Sequence, residues 1–317
     1  MKKKKKKIIL IILFLLIITY FLLGFINVNR KNLAFFDKNF MVFAHRGGMG
    51  LFPENTIIAF ENAEKLGVDV LEIDVHPTKD GKVVVIHDDS IDRTTNGKGR
   101  ISEFTYKELE KFDAAYNFSL DNGKTFPYRG KGIKIPLLSD VLSQFQNMKI
   151  SIEIKETDGK IEEKVIELIK NYKMEDKVII ASEEFEILKK IREINPEIAT
   201  SMSEKEVRSF YTSFVTYILL NFYKPKADAL SIPPEAEGRT LANKNFINSS
   251  HKKGLKIFVW TINEEEEMRE LIKFGVDGII TDYPDKLIEI LKEEDLRWTW
   301  VLNILFLIFL NLLELHF

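Results

Sequence analysis

Between about residue 36 and residue 297 the chain alternates short apolar runs with amphipathic stretches, and that rhythm constrains its fold more than any other feature. Nine runs read as strands: Met41–His45, Asp69–Val75, Val83–His87, Lys149–Ile154, Lys177–Ala181, Ile198–Met202, Ala229–Ile232, Lys256–Trp260 and Gly278–Thr281. Helices are expected over Glu54–Leu66, Lys160–Tyr172, Phe185–Ile194, Glu204–Leu220, Arg239–Lys253, Glu264–Phe274 and Pro284–Lys292. Strands that are apolar throughout are buried on both faces, as in parallel sheets covered by helices. Repeated over some 250 residues, the alternation predicts an α/β parallel barrel. Nine strands is one too many for eight. The surplus falls either in the segment around Lys79-Asp80-Gly81-Lys82, which carries an Asp-Gly turn signal, or in the weak Ile198–Met202 run. An open doubly wound sheet is the alternative, but no Gly-x-Gly-x-x-Gly follows any strand.

Both ends differ from this middle. Lys2 to Lys7 is an unbroken basic run, and Ile8 to Ile26 is uncharged and mostly Ile, Leu and Phe, about 28 Å as a helix. A cleaved signal peptide would share this layout, but bulky Thr19–Phe25 offers no small-residue cleavage pattern, so an uncleaved transmembrane anchor is expected over 1–35. The lysines should stay cytoplasmic, which places the barrel, 36–297, on the outer side of a cell membrane. Trp298-Thr299-Trp300 opens a second apolar segment, Val301 to Leu313, expected either to span or to lie at the interface. The net charge of −2 argues against a nucleic-acid partner, and the absence of cysteine excludes disulfides and thiolate metal sites. Residues 89–136 form a turn-rich insertion after the strand ending at His87. It is expected to overhang a substrate pocket, its seven aromatics forming either a small separate core or an apolar wall for an acyl chain.

The chemistry gathers at strand ends. His45-Arg46-Gly47-Gly48 leads into Pro53-Glu54-Asn55-Thr56, and Glu72-Ile73-Asp74 and His87-Asp88 follow, using two of only five histidines. Glu72 and Asp74 are two apart on a strand and point to one face. Buried there they need cations: either neighbouring Lys and Arg, or a metal. Glu153, with Lys155 on its face, repeats the pattern, and three carboxylates suit Mg²⁺ or Ca²⁺ rather than zinc. If Lys79 and Lys82 flank a two-residue turn, Asp74 lies opposite His87. Trp260 either lines the site with a flat apolar wall or packs under a loop.

Taken in order, these motifs, with Glu153-Ile154-Lys155, Trp260-Thr261-Ile262-Asn263 and the string Asp277–Pro284, resemble the glycerophosphodiester phosphodiesterase family across about residues 41 to 290. The resemblance implies a TIM-type (β/α)8 barrel with the insertion after the third strand. It implies metal ligands at Glu72, Asp74 and Glu153, acid and base at His45 and His87, and phosphate binding by Arg46 with help from Lys155. The expected reaction is metal-dependent cleavage to glycerol 3-phosphate and an alcohol. Lysophospholipase D-type cleavage of a membrane lysolipid, or attack on an envelope glycerophosphate polymer, is the alternative. A membrane-anchored binding module is a third reading, against which the intact proton-transfer pair argues.

Overall fold

The computed structural model describes residues 2–24, 33–155, 161–217 and 219–294. The first of these stretches is helix α1 (Lys2–Gly24). Strand β1 (Met41–Ala44) opens the barrel and is followed by α2 (Ile57–Leu66), β2 (Val70–Pro77) and β3 (Val83–Val85). The insertion holds α3 (Tyr106–Leu109). Then come α4 (Leu138–Gln144), β4 (Lys149–Ile154), α5 (Glu162–Asn171), β5 (Val178–Ala181), α6 (Phe185–Ile194), β6 (Ala199–Thr200), α7 (Glu204–Thr216) and β7 (Ala229–Ile232). A small hairpin, β8 (Glu235–Ala236) and β9 (Arg239–Thr240), precedes α8 (Lys244–Lys252). The chain then runs through β10 (Lys256–Val259), α9 (Glu265–Phe274) and β11 (Gly278–Thr281) to α10, over 284–294.

Eight strands run parallel in the order β6-β5-β4-β2-β1-β11-β10-β7. The ring is drawn together between its ends by a parallel Ser201–Ala229 bridge, with the Met202 N–H donating to the Ala229 carbonyl at 2.8 Å. The surplus strand is β3, which pairs antiparallel with β2, while the weak Ile198–Met202 run is a true barrel strand. The hairpin register differs by one residue from the expectation. Val75 faces Val85, and the Ile86 N–H donates to the Asp74 carbonyl, so Asp74 lies beside Ile86 and not His87. The cause is the loop: Thr78 and Lys82 flank three residues, and Gly81 takes φ +71°, which suits a turn ending in a left-handed residue.

Period-2 alternation divides the core. Val42, Leu71, Ile73, Ile150 and Ile152 pack outward under the helices, while Met41, Phe43, Val70 and Phe258 point into the barrel with Phe35, which plugs its N-terminal end. Continuing inward from Val70 come Glu72 and Asp74, so β2 passes from apolar floor to charged rim along one face. The expected terminal membrane spans are not seen: among the described residues no helix is long and apolar enough to cross a membrane. The segment 298–317 lies outside the described residues.

Candidate active site

Three carboxylates meet at the C-terminal rim. Asp74 and Glu153 are register partners on β2 and β4, and Glu72 precedes Asp74 on the same face; all three offer oxygens within 4.8 Å of one another. Lys155 bonds Glu153 at 2.7 Å and approaches Asp74 at 3.2 Å. Burial and the nearby Asp74 charge push the Glu72 carboxyl up to about 8. Burial likewise raises Glu153, against the pull of Lys155. Asp74, for all its burial, is held below the usual carboxylate range by Lys155 and Arg46. An oxygen-only donor set with such strained ionisation fits a hard divalent cation, whose charge would reverse that balance.

His45 and Arg46 sit in a turn just beyond β1. Gly47 there takes φ +83°, and an added Cβ would meet Ala59 at 2.8 Å, so only glycine lets the turn press against α2. Arg46 itself adopts φ +51°, a conformation that costs a non-glycine residue about 1 kcal/mol or more. In that pose its backbone N–H donates to Glu72 at 2.9 Å and its guanidinium reaches Glu54 at 3.0 Å. Its buried Nε has no hydrogen-bond partner.

Each histidine is backed by an aspartate. His45 Nδ1 lies 2.6 Å from Asp282, which accepts from Asn263 at 2.7 Å. His87 Nδ1 lies 2.7 Å from Asp88, which accepts from Arg93 at 2.7 Å. A carboxylate only accepts, so each Nδ1 carries the proton and Nε2 is left for chemistry. Burial alone would raise Asp88, but Arg93 and His87 hold it at about 2. Burial lowers the His45 pKa, yet the Asp282 bond and the Glu72 charge outweigh it and raise the net value. Glu54 takes two bonds from Arg93, at 2.5 and 2.8 Å, so a chain of ion pairs joins Arg46 to His87 across the rim.

A cavity of about 650 Å³ holds the assembly. His45, Arg46, Glu72, His87, Glu153, Lys155 and Trp260 line it, and Asp74 lies buried behind, so the structure brings together every residue singled out above. Trp260 is part of the wall rather than packed under a loop. The insertion does not overhang as expected. No residue of 89–136 lines the cavity; Ile91, Ile101, Leu109 and Ala114 form a separate core with Phe104, Tyr106 and Phe112. The apolar wall comes from α7 and the loop after β7: Val207, Tyr211, Ile232 and Pro233. Sequence reading assigned no role to Asp282, Asn263, Asp88, Arg93 or Glu54. All but Arg93 stood inside motifs already noticed, but nothing local shows that Asp282 reaches a histidine 237 positions away.

The model of the glycerophosphoryl diester phosphodiesterase family matches residues 45–286. A glycerophosphodiester phosphodiesterase of Caldanaerobacter subterraneus is 36% identical over 262 residues, covering 80% of this chain and 98% of that one. The human lysophospholipase D is 32% identical over 279 residues, covering 81% and 85%. The solved structure of an Oleispira antarctica phosphodiesterase in complex with the product sn-glycerol-3-phosphate superposes with TM-score 0.65 at 26% identity, over 80% of this chain and 96% of that one. With the family's span reaching from His45 past Asp282 and its relatives matched nearly end to end, this chain belongs to the glycerophosphoryl diester phosphodiesterase family.

Proposed function

We propose that the chain hydrolyses glycerophosphodiesters to glycerol 3-phosphate and an alcohol, using His45 and His87 as its proton-transfer pair. The observation that carries this reading is the pair of His–Asp couples at one cavity rim beside a buried carboxylate triad. A phosphodiester seated there meets the positive charge of the Arg46 guanidinium in the cavity wall, while Lys155 adds positive charge from the side. One histidine removes a proton through Nε2 from the attacking water, or from the adjacent glycerol hydroxyl to form a cyclic phosphate that water then opens in a second step; the other delivers its proton to the leaving alcohol oxygen. The aspartates hold the imidazoles in the required tautomer and favour the imidazolium as it forms. Glu72, Asp74 and Glu153 would hold a divalent cation, Mg²⁺ or Ca²⁺, which supplies electrostatic stabilisation of the phosphoryl charge.

A lysolipid is the second candidate substrate, favoured by the apolar α7 side of the cavity and by the name of the human relative. The same reading puts the protein at a membrane: Ile8 to Leu16 lie exposed on every side of α1 next to the lysine run, and the outer face of a cell membrane is the expected location.

The full chain in detergent, incubated with a panel of glycerophosphodiesters and lysolipids, should release glycerol 3-phosphate from the first set. Chelation should abolish the release and Mg²⁺ or Ca²⁺ restore it. Undiminished activity after exhaustive chelation would remove the metal, and no release from any panel member would remove the hydrolytic assignment.

A further inference from the structure

Outside α1, seven large apolar residues among those described are exposed: Leu66, Leu120 and Trp260 stand apart from one another, and the other four are near neighbours in the chain. Val215, Tyr217, Leu219 and Phe222 fall within one short stretch after α7, exposed at 62, 73, 51 and 53%. Single exposed apolar residues are ordinary; a contiguous set marks a surface that something covers. Tyr20 of α1 sets its ring 6.4 Å from that of Phe222, so the patch continues directly into the apolar helix. Exposed Lys224 and Lys226 follow it in the chain, and Lys253 donates to the Asn221 carbonyl at 3.1 Å. Aromatic and aliphatic side chains flanked by lysines suit the headgroup boundary of an anionic bilayer. A helix apolar on all sides, as α1 is from Ile8 to Leu16, belongs in a core or in lipid, and no core covers it here.

The place of this patch in the fold decides what it means. The catalytic groups stand at the C-terminal ends of the strands. Helix α7 starts at that rim and runs back along the barrel; its cavity-facing residues end at Thr212, about one turn before Val215, and beyond it Asn221 accepts from Lys253, which follows α8 just before β10 begins, at 3.1 Å. Strand β1 begins at this same N-terminal end, and α10 returns to it. We infer that the N-terminal end of the barrel is a membrane-docking face, formed by 215–217 and 219–222 with α1 and seated on an anionic lipid bilayer, which turns the catalytic mouth away from that bilayer.

The orientation bears on substrate and there rests on the hydrolytic reading. A lysolipid in the docked leaflet cannot reach a mouth on the far end. The enzyme then takes water-soluble glycerophosphodiesters, or a glycerophosphate polymer extending from the surface.

The chain has no cysteine, so single labels are unambiguous. Leu219→Cys on the docking face and Leu120→Cys, exposed on the insertion at the mouth end, are each labelled with a fluorophore. The full-length variants are bound to phosphatidylcholine–phosphatidylglycerol vesicles carrying nitroxide-labelled headgroups. The label at 219 should be quenched severalfold more than that at 120. Equal quenching, stronger quenching at 120, or none at 219 on vesicle-bound protein overturns the docking face. Turnover is measured separately on the same vesicles. Glycerophosphocholine should be cleaved at its detergent rate, and lysolipid embedded in the vesicles far more slowly. Faster cleavage of embedded lysolipid overturns the orientation. Quenching at 219 with no hydrolysis of either substrate supports the docking face and sinks the functional reading alone.

Discussion

At the scale of single residues, the site depends on pairs that oppose one another's solvation. In the proposed mechanism His45 and His87 move protons with Asp282 and Asp88 holding each Nδ1 proton in place. His45→Ala and His87→Ala should each lower turnover by about 10²–10⁴-fold with the circular-dichroism spectrum unchanged, the usual weight of acid–base catalysis. Near-parental turnover in either removes that histidine from the mechanism. Asp282→Asn should lower kcat with little change in KM, because it mis-sets a tautomer without touching substrate. At the other end of the barrel Asp277 accepts from His251 and Lys256, both at 2.7 Å, and from the Ile257 N–H at 2.9 Å. Burial opposes its ionisation, but those three donors outweigh it and depress its pKa below the ordinary 3.8. A depressed carboxylate stabilises the fold above its unfolded pKa, and the gain is lost as pH falls through the lower folded value. Asp277→Asn should therefore be less stable at neutral pH, by about 1.5–3 kcal/mol. The gap should narrow as pH drops below about 4, as followed by denaturant unfolding; a gap independent of pH would show that the carboxylate charge is not the cause.

At the scale of elements, the outcome turned on short-range geometry that composition does not encode. Val83–His87 reads as a barrel strand because it is as apolar as its neighbours, yet a three-residue loop folds it back on β2 as a ninth, antiparallel strand. A change of one residue in that loop moves every side chain to the other face, which is why the Asp74–His87 pairing expected from a two-residue turn does not occur. His87 reaches the site all the same, because the chain bends beyond Val85 and Asp88 and Arg93 tie the bend to Glu54. The insertion thus supports the site from outside through Arg93, while α7 supplies part of the cavity wall. Arg93→Ala should reduce turnover of glycerophosphocholine and of detergent-dispersed lysolipid by the same factor, about tenfold for the roughly 1.4 kcal/mol of a broken ion-pair chain. Tyr211→Ala should instead change the ratio of the two, which is read from kcat/KM on each. A ratio changed by Arg93→Ala and untouched by Tyr211→Ala would reverse these assignments.

For the whole molecule, barrel direction organises the proposals: the candidate site at the C-terminal rim, and the inferred docking face of exposed apolar residues with α1 at the other end. If the chain is tethered with its lysines inside, protease added to intact cells should digest the barrel, and protection of the barrel would reverse the orientation. By itself the sequence determined the class of fold, because apolar runs of strand length alternating with amphipathic helices have few ways to bury both faces. It also picked out the residues that the structure gathers at one cavity, since acidic pairs on one strand face and histidines at strand ends are local patterns. Only the tertiary structure decided which apolar run left the barrel, that Asp282 and Asn263 support His45, and that α7 rather than the insertion walls the cavity. Those facts depend on where ring closure brings elements hundreds of residues apart, and side-chain periodicity, which reports burial one element at a time, carries no information about that distance.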